Sequence, residues 1–209
     1  MVKNQSAFSL VELLVAIAII VGLAAAGLAG TSQIIEKSKS SKSLSNLRQI
    51  GVAALTYAAD NNGQLPQSSH QGPVLVWTRT LKEYIPASLF ISPLDSTGRY
   101  LSYAINDFVT AFPEGAASVD YSRLVNQPSP ASTLYLAISN KNSQNSDHFH
   151  FAEYGFSPAN FAAEVWVDIV DKSSHYLFVD GHVEVLRWDT VQTLLTQSGS
   201  TFIRPDGKN

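Results

Sequence analysis

Five histidines carry most of the coordination chemistry open to this chain: His70, His148, His150, His175 and His182. With no cysteine in the 209 residues there is no thiolate ligand, no redox dithiol and no thiol nucleophile. His148 and His150 alternate with Phe149 and Phe151. Ordinary strand alternation turns the phenylalanines inward and the histidines outward. Asp147 or Glu153 could add an oxygen ligand beside them, yet no familiar metal-site spacing is present. His148 and His150 are therefore weak metal candidates and no metal site is assigned. His175 and His182 share one face of an expected hairpin, but four residues separate His175 from Val179, the residue facing His182. At ~3.4 Å per residue that is about 14 Å, too far for joint ligation. No serine-nucleophile elbow, phosphate loop or pair of carboxylates at a catalytic spacing occurs. The expectation is a protein that is not an enzyme and needs no cofactor.

The other chemically telling side chain is Glu12, at the edge of the run LLVAIAIIVGLAAAGLAG from 13 to 30. Eighteen residues without a polar side chain reach about 27 Å as a helix, close to a hydrocarbon core ~30 Å thick. Three readings compete: a buried core helix, a cleaved secretory signal and a membrane anchor. The run has no polar face and starts near the N-terminus, which argues against a core helix. Ala24-Ala25-Ala26 and Gly27-Leu28-Ala29 offer small-residue sites for signal peptidase. Against that reading stands Glu12, because secretory signals favour basic flanks. A carboxylate drawn toward a bilayer costs on the order of 2–3 kcal/mol, so it needs a partner unless it stays wet at the headgroup level.

The string Ala7-Phe8-Ser9-Leu10-Val11-Glu12-Leu13-Leu14 resembles the processing site of type IV prepilins and type II secretion pseudopilins. The resemblance implies a leader ending at Ala7, where the family prefers Gly. It also implies cleavage before Phe8 by a prepilin peptidase, N-methylation of Phe8 and retention of Glu12 as the fifth mature residue. The new ammonium at Phe8 would then neutralise a carboxylate in low dielectric, on its own helix or on a neighbouring subunit, and so set axial register. In that family acidic loops of some pseudopilins bind calcium. Asp168, Asp171 and Asp206 are the acids that could do so here, and solvated surface acids explain them equally well.

These groups need elements to hold them. Residues 31–60 lack proline, and Leu44, Leu47, Ile50, Ala54, Tyr57 and Ala58 recur on one helical face. Asn61-Asn62-Gly63 and then Pro66 end the helix. Residues 37–46, KSKSSKSLSN, read either as helix or as linker. Gly51 costs ~1 kcal/mol relative to Ala or marks close packing on a sheet. Downstream, 77–85 reads as a short helix, and 99–105, 133–139 and 164–170 read as strands, the last with Val165, Val167 and Ile169 on one face. Asp180-Gly181 between alternating apolar runs predicts a two-residue hairpin turn with positive φ at both positions. That pairing sets Phe178 opposite Val183 and Tyr176 opposite Val185, and turns this face toward the helix. Asp189 and Gln192 suit a capping box for a helix over 189–197, Gly199 suits its stop, and 202–209 reads as a loose tail.

Composition fits this layout. The chain is 45% hydrophobic and 15% charged, which excludes disorder throughout. The net charge of −3 provides no basic footprint for nucleic acid. Charge is unevenly spread: net +2 over 31–60 and net −5 over 61–209. The phrases around Asn46–Gly51, Tyr57–Gly63 and Ser102–Asn106 also resemble a large group of pilin-like proteins with a C-terminal DG hairpin. The resulting expectation is an α+β, pilin-like chain, with a long N-terminal helix packed on a small antiparallel sheet. Its parts are a leader (1–7), a membrane or filament-core half-helix (8–30), an amphipathic half-helix (31–61) and a β-rich domain (62–209). Such a chain is a filament subunit whose partners are prepilin peptidase/methyltransferase, the membrane and other pilin subunits. It sits in the inner membrane as a single-pass protein with its C-terminal domain outside the cytoplasm. The competing reading is an anchored or secreted binding domain that does not polymerise.

Overall fold

The computed structural model describes residues 9–71, 76–111, 119–143, 147–150 and 157–208, with the side chains of 24–30, 32 and 71 outside that description. Two compact units result, Met1–Lys39 and Ser40–Asn209. One helix, α1 (Leu10–Asp60), contributes to both. In the first unit every described side chain from Leu10 to Leu23 is exposed. Among the described residues, no helix is long and apolar enough to cross a membrane.

Residues 37–46 belong to the helix and not to a linker. The serines that weaken its intrinsic propensity meet polar partners inside the fold. Ser43 Oγ lies 2.9 Å from Ser92 Oγ and 3.3 Å from the Tyr103 hydroxyl. Further along, Leu47, Ile50, Ala54 and Ala58 are buried in one core cluster, as the helical period predicts. The helix ends where expected. Asn62 and Gly63 both take positive φ, and the Gly63 N–H donates to the Ala58 carbonyl at 2.7 Å.

Five strands follow: β1 (Tyr103–Asn106), β2 (Leu134–Ile138), β3 (His148–Phe149), β4 (Ser173–Phe178) and β5 (Val183–Arg187). They form one sheet in the order β3-β1-β2-β4-β5. All pairs are antiparallel except β1 with β3, which is parallel, so the sheet is mixed and not purely antiparallel. The residues of α1 from Leu47 onward pack on one face, together with α2 (Trp77–Leu81). The other face is covered by α3 (Pro158–Glu164), α4 (Trp188–Thr196) and the C-terminal residues Phe202 and Ile203. The N-terminal helix followed by a five-stranded α/β domain is an α+β architecture of pilin-like kind.

Several local expectations fail, each for a physical reason. Residues 164–170 are not a strand. Ser157 caps α3 by accepting from the Asn160 N–H, and Pro158 occupies its first turn. Val165 then makes a single bridge to Ser139 before the chain turns. Val165 and Val167 end in one core cluster while Ile169 packs against the other, so the three do not share a face.

The β4–β5 register is also one residue away from the expected one: Leu177 faces Val183 and His175 faces Val185. Only Gly181 has positive φ, and its N–H donates to the Phe178 carbonyl at 2.9 Å. The connection is thus a three-residue turn ending in glycine. A one-residue slip exchanges faces. Leu177 therefore joins the α1 side, and Tyr176 and Phe178 join the opposite cluster. A two-residue turn with positive φ at both positions occurs instead at Asp171 and Lys172, closing the bridge between Val170 and Ser173.

The Asp189–Gln192 capping box does not form. The helix begins one residue earlier, at Trp188, whose N–H donates to the Lys172 carbonyl at 2.9 Å. The tail is not loose either. The Leu134 N–H donates to the Phe202 carbonyl, and the Asn106 side-chain amide donates to the Ile203 carbonyl, both at 2.8 Å.

Candidate functional site

Two places bring together the residues singled out by the sequence. The first is the start of α1. Ala7 and Phe8 lie outside the described residues. Glu12 is described, and it closes a reciprocal cap with Ser9. The Ser9 N–H donates to Glu12 Oε2 at 2.9 Å, and the Glu12 N–H donates to Ser9 Oγ at 3.2 Å. This is a capping box, and Ser9-x-x-Glu12 is its sequence signal. It satisfies N–H groups that an apolar environment would leave unpaired. Around it Leu10, Val11, Leu13, Leu14, Ile17, Ile20 and Val21 are at least half exposed, so this first part of the helix presents apolar side chains on all sides.

The second place is in the sheet domain. Phe149 points into the core as alternation predicts. His148 and His150 lie on the opposite side, but His148 is only 6% exposed. The turn Ser69–Gln71 comes in beside this edge of the sheet and brings His70 against both. Ring centroids are 4.1 Å apart for His70–His148, 5.1 Å for His70–His150 and 5.3 Å for His148–His150. One potential ligand atom from each lies within 4.8 Å of the others. The sequence alone offers His148 and His150 as a pair and gives no sign of His70 beside them. His70 lies 78 residues from His148, and no linear spacing announces their contact.

Two buried carboxylates stand behind this cluster. His70 Nδ1 is 2.9 Å from Asp107 Oδ2, and His148 Nδ1 is 2.8 Å from Asp147 Oδ1. Asp107 also accepts from Ser68 Oγ at 2.6 Å and Thr110 Oγ1 at 3.1 Å. Asp147 accepts from the Ser69 N–H at 2.8 Å and Ser69 Oγ at 2.7 Å. Burial pushes the Asp147 carboxyl up, but bonds from His148 and Ser69 outweigh it and hold the carboxyl below its ordinary range. Burial likewise pulls His148 down, and Asp147 reverses this to a net rise. Asp147, read from sequence as a possible oxygen ligand, instead orients an imidazole. Glu153 lies outside the described residues.

The remaining named residues are apart from this cluster. Asp180 and Gly181 lie in the β4–β5 turn, where Asp180 Oδ1 accepts from the His182 N–H at 3.1 Å. Asp206 is taken up by Arg204, whose Nη2 is 2.8 Å from its Oδ2, and Asp168 and Asp171 are exposed.

His175 is fully buried between Ser40 Oγ (3.0 Å from Nε2) and Ser43 Oγ (3.2 Å from Nδ1). Burial pulls its pKa down to about 4. The unfolded imidazole takes up its proton near pH 6.5 and the native one only near 4, so between these values the unfolded state binds more protons. Stability should fall by up to about 3 kcal/mol as pH drops from 6.5 to 4. Comparing urea midpoints at pH 7 and pH 4.5 for the parent and His175→Asn tests this. The variant should lose most of that pH dependence, and equal slopes would refute the assignment.

Residues 2–28 match the model described as the prokaryotic N-terminal methylation motif. That motif is the signal of type IV prepilins and pseudopilins. Neither a curated protein nor a solved structure shows significant similarity to the chain.

Proposed function

We propose that this protein is a structural subunit of a type IV pilus-like or type II secretion pseudopilus filament. In this reading prepilin peptidase cuts between Ala7 and Phe8, and Phe8 is N-methylated. The precursor sits in the inner membrane as a single-pass protein, with the apolar residues 13–30 supplying a span of about 27 Å. The carrying observation is the coincidence of the methylation motif at 2–28 with a helix whose side chains from Leu10 to Leu23 are exposed on every side. Such a surface needs lipid or other helices around it. In a filament it packs against the same helix of neighbouring subunits, and the sheet domain carries whatever specificity the assembly has. No catalytic step is assigned to it.

Peptide sequencing of the membrane-extracted N-terminus tests the processing step. A chain starting at Phe8 is expected, and Ala7→Gly should increase its share. A start at Gly27, Gly30 or Thr31 would mean ordinary secretion and would overturn the proposal.

The cap suggests a sharper test of Glu12. Glu12→Gln keeps a side chain able to complete the capping box but removes the charge, whereas Ser9→Ala removes the hydroxyl cap and keeps the charge. Ser9→Ala should cost about 1 kcal/mol of helix stability and still assemble. Glu12→Gln should be cut normally and yield only background filament by electron microscopy. Normal filaments from Glu12→Gln would remove the ionic role of Glu12.

A further inference from the structure

We propose that His70, His148 and His150 form a binding site for one divalent transition-metal ion of the zinc class. The inference lies outside the filament reading and does not depend on it.

The donor set is three imidazoles, which suit zinc and its neighbours and not calcium or magnesium. The arrangement is close to what three ligands on one ion require. A tetrahedral zinc with bonds of about 2.0–2.1 Å separates its ligand nitrogens by about 3.4 Å and the imidazole centroids by about 5 Å. Here the centroids are 4.1–5.3 Å apart and the ligand atoms lie within 4.8 Å of one another. Bringing the nitrogens to bonding distance takes ring movements of about 1 Å.

Orientation strengthens the case. Metal-bound imidazoles typically donate their second N–H to a carboxylate, which fixes the tautomer and the ring plane. His70 does so to Asp107 and His148 to Asp147. With Nδ1 committed to the carboxylate, Nε2 is the nitrogen left to each ring for a ligand. In His148 that Nε2 is buried and meets no hydrogen-bond partner among the described residues. A polar atom buried in that way is destabilising unless something binds it.

Charge points the same way. Asp107 and Asp147 are 1% and 4% exposed. Two carboxylates at such depth are costly without compensation. One divalent cation on the adjoining imidazoles balances both. Three protein ligands leave a fourth position for water or an outside donor. The ion would also tie the Ser69–Gln71 turn to β3, the two-residue edge strand of the sheet, and so secure an edge with few bonds of its own.

The test uses the full, untagged chain in detergent, stripped with a chelator and titrated with zinc against a competing dye. One equivalent should bind with submicromolar affinity. Cobalt(II) in its place should give the intense visible bands of a four-coordinate site. His70→Ala and His150→Ala should each weaken zinc by more than about 100-fold, and Asp107→Asn by about 10- to 100-fold. His70 is exposed, so its variant retains the fold even if a change at buried His148 does not. Zinc should raise the melting temperature of the parent and leave His70→Ala unmoved. Binding of less than one equivalent, or binding unaffected by both His70→Ala and His150→Ala, would overturn the site. Imidazoles held only by their own packing and by the His70–Asp107 and His148–Asp147 pairs would give that result. Leader cleavage and filament formation are read separately, so failure here leaves the filament proposal standing.

Discussion

Phe202→Ala should destabilise the sheet domain by about 3–5 kcal/mol, one of the largest single losses in this protein. Phe202 is 2% exposed and sits between Phe161, Tyr176 and Phe178, with centroid distances of 6.1–6.2 Å. Its carbonyl accepts from Leu134, at the start of a central strand. The next residue offers its carbonyl to Asn106, whose amide also donates to Leu134, so the tail closes a polar bridge between β1 and β2. Removing the ring leaves a cavity that strands on one side and helices on the other cannot both collapse into. Phe202→Leu keeps most of the volume and should cost about 1 kcal/mol. Urea midpoints of the full chain in detergent, followed by the fluorescence of its three tryptophans, measure both. A loss below about 0.5 kcal/mol for Phe202→Ala would mean that the tail is a surface appendage after all.

The second large effect lies where α1 meets the β4–β5 hairpin. A Cβ built at Gly51 comes within 2.8 Å of Leu177 Cδ1 and 3.2 Å of the Gly181 carbonyl oxygen. The leucine methyl can swing aside, but the backbone oxygen belongs to a turn and cannot. The approach is mutual, because a Cβ at Gly181 would meet Leu55 Cδ1 at 2.8 Å. Gly51→Val should therefore cost about 2–3 kcal/mol through overpacking. Gly51→Ala should be nearly neutral, since its gain of about 1 kcal/mol in helix propensity offsets a smaller clash. Val52, the next residue, is 65% exposed, and Val52→Ala should change stability by no more than about 0.5 kcal/mol. Thermal melting of the three variants under one condition separates the outcomes. If Gly51→Val melts with the parent, the helix and hairpin are not in contact as described.

The glycine shows how far a linear reading reaches. Its position in an apolar helical stripe left two meanings open, a propensity cost or a close approach, and the packing against Gly181 selects the second. The serines of 37–46 behave similarly. Their low helix propensity leaves a linker open beside the helix, and Ser40 and Ser43 decide for the helix by facing His175, Ser92 and Tyr103 across the domain. Tertiary hydrogen bonds of this kind outweigh tenths of a kcal/mol in propensity per residue.

What the sequence determined by itself was everything governed by short range. The methylation motif, the all-round apolar run, the Leu47–Ala58 stripe, the Asn62-Gly63 stop and the place of the last hairpin depend on neighbours within a turn or two. Tertiary structure alone decided the register of that hairpin, the parallel edge strand, the burial of Phe202 and the meeting of His70 with His148 and His150. Register hangs on one residue of turn geometry, and that residue is chosen by which face finds a core to cover. The histidine cluster requires closing a chain of 78 residues so that a turn lands on a sheet edge. No periodicity encodes that closure, because the energy that repays it comes from the whole packed domain.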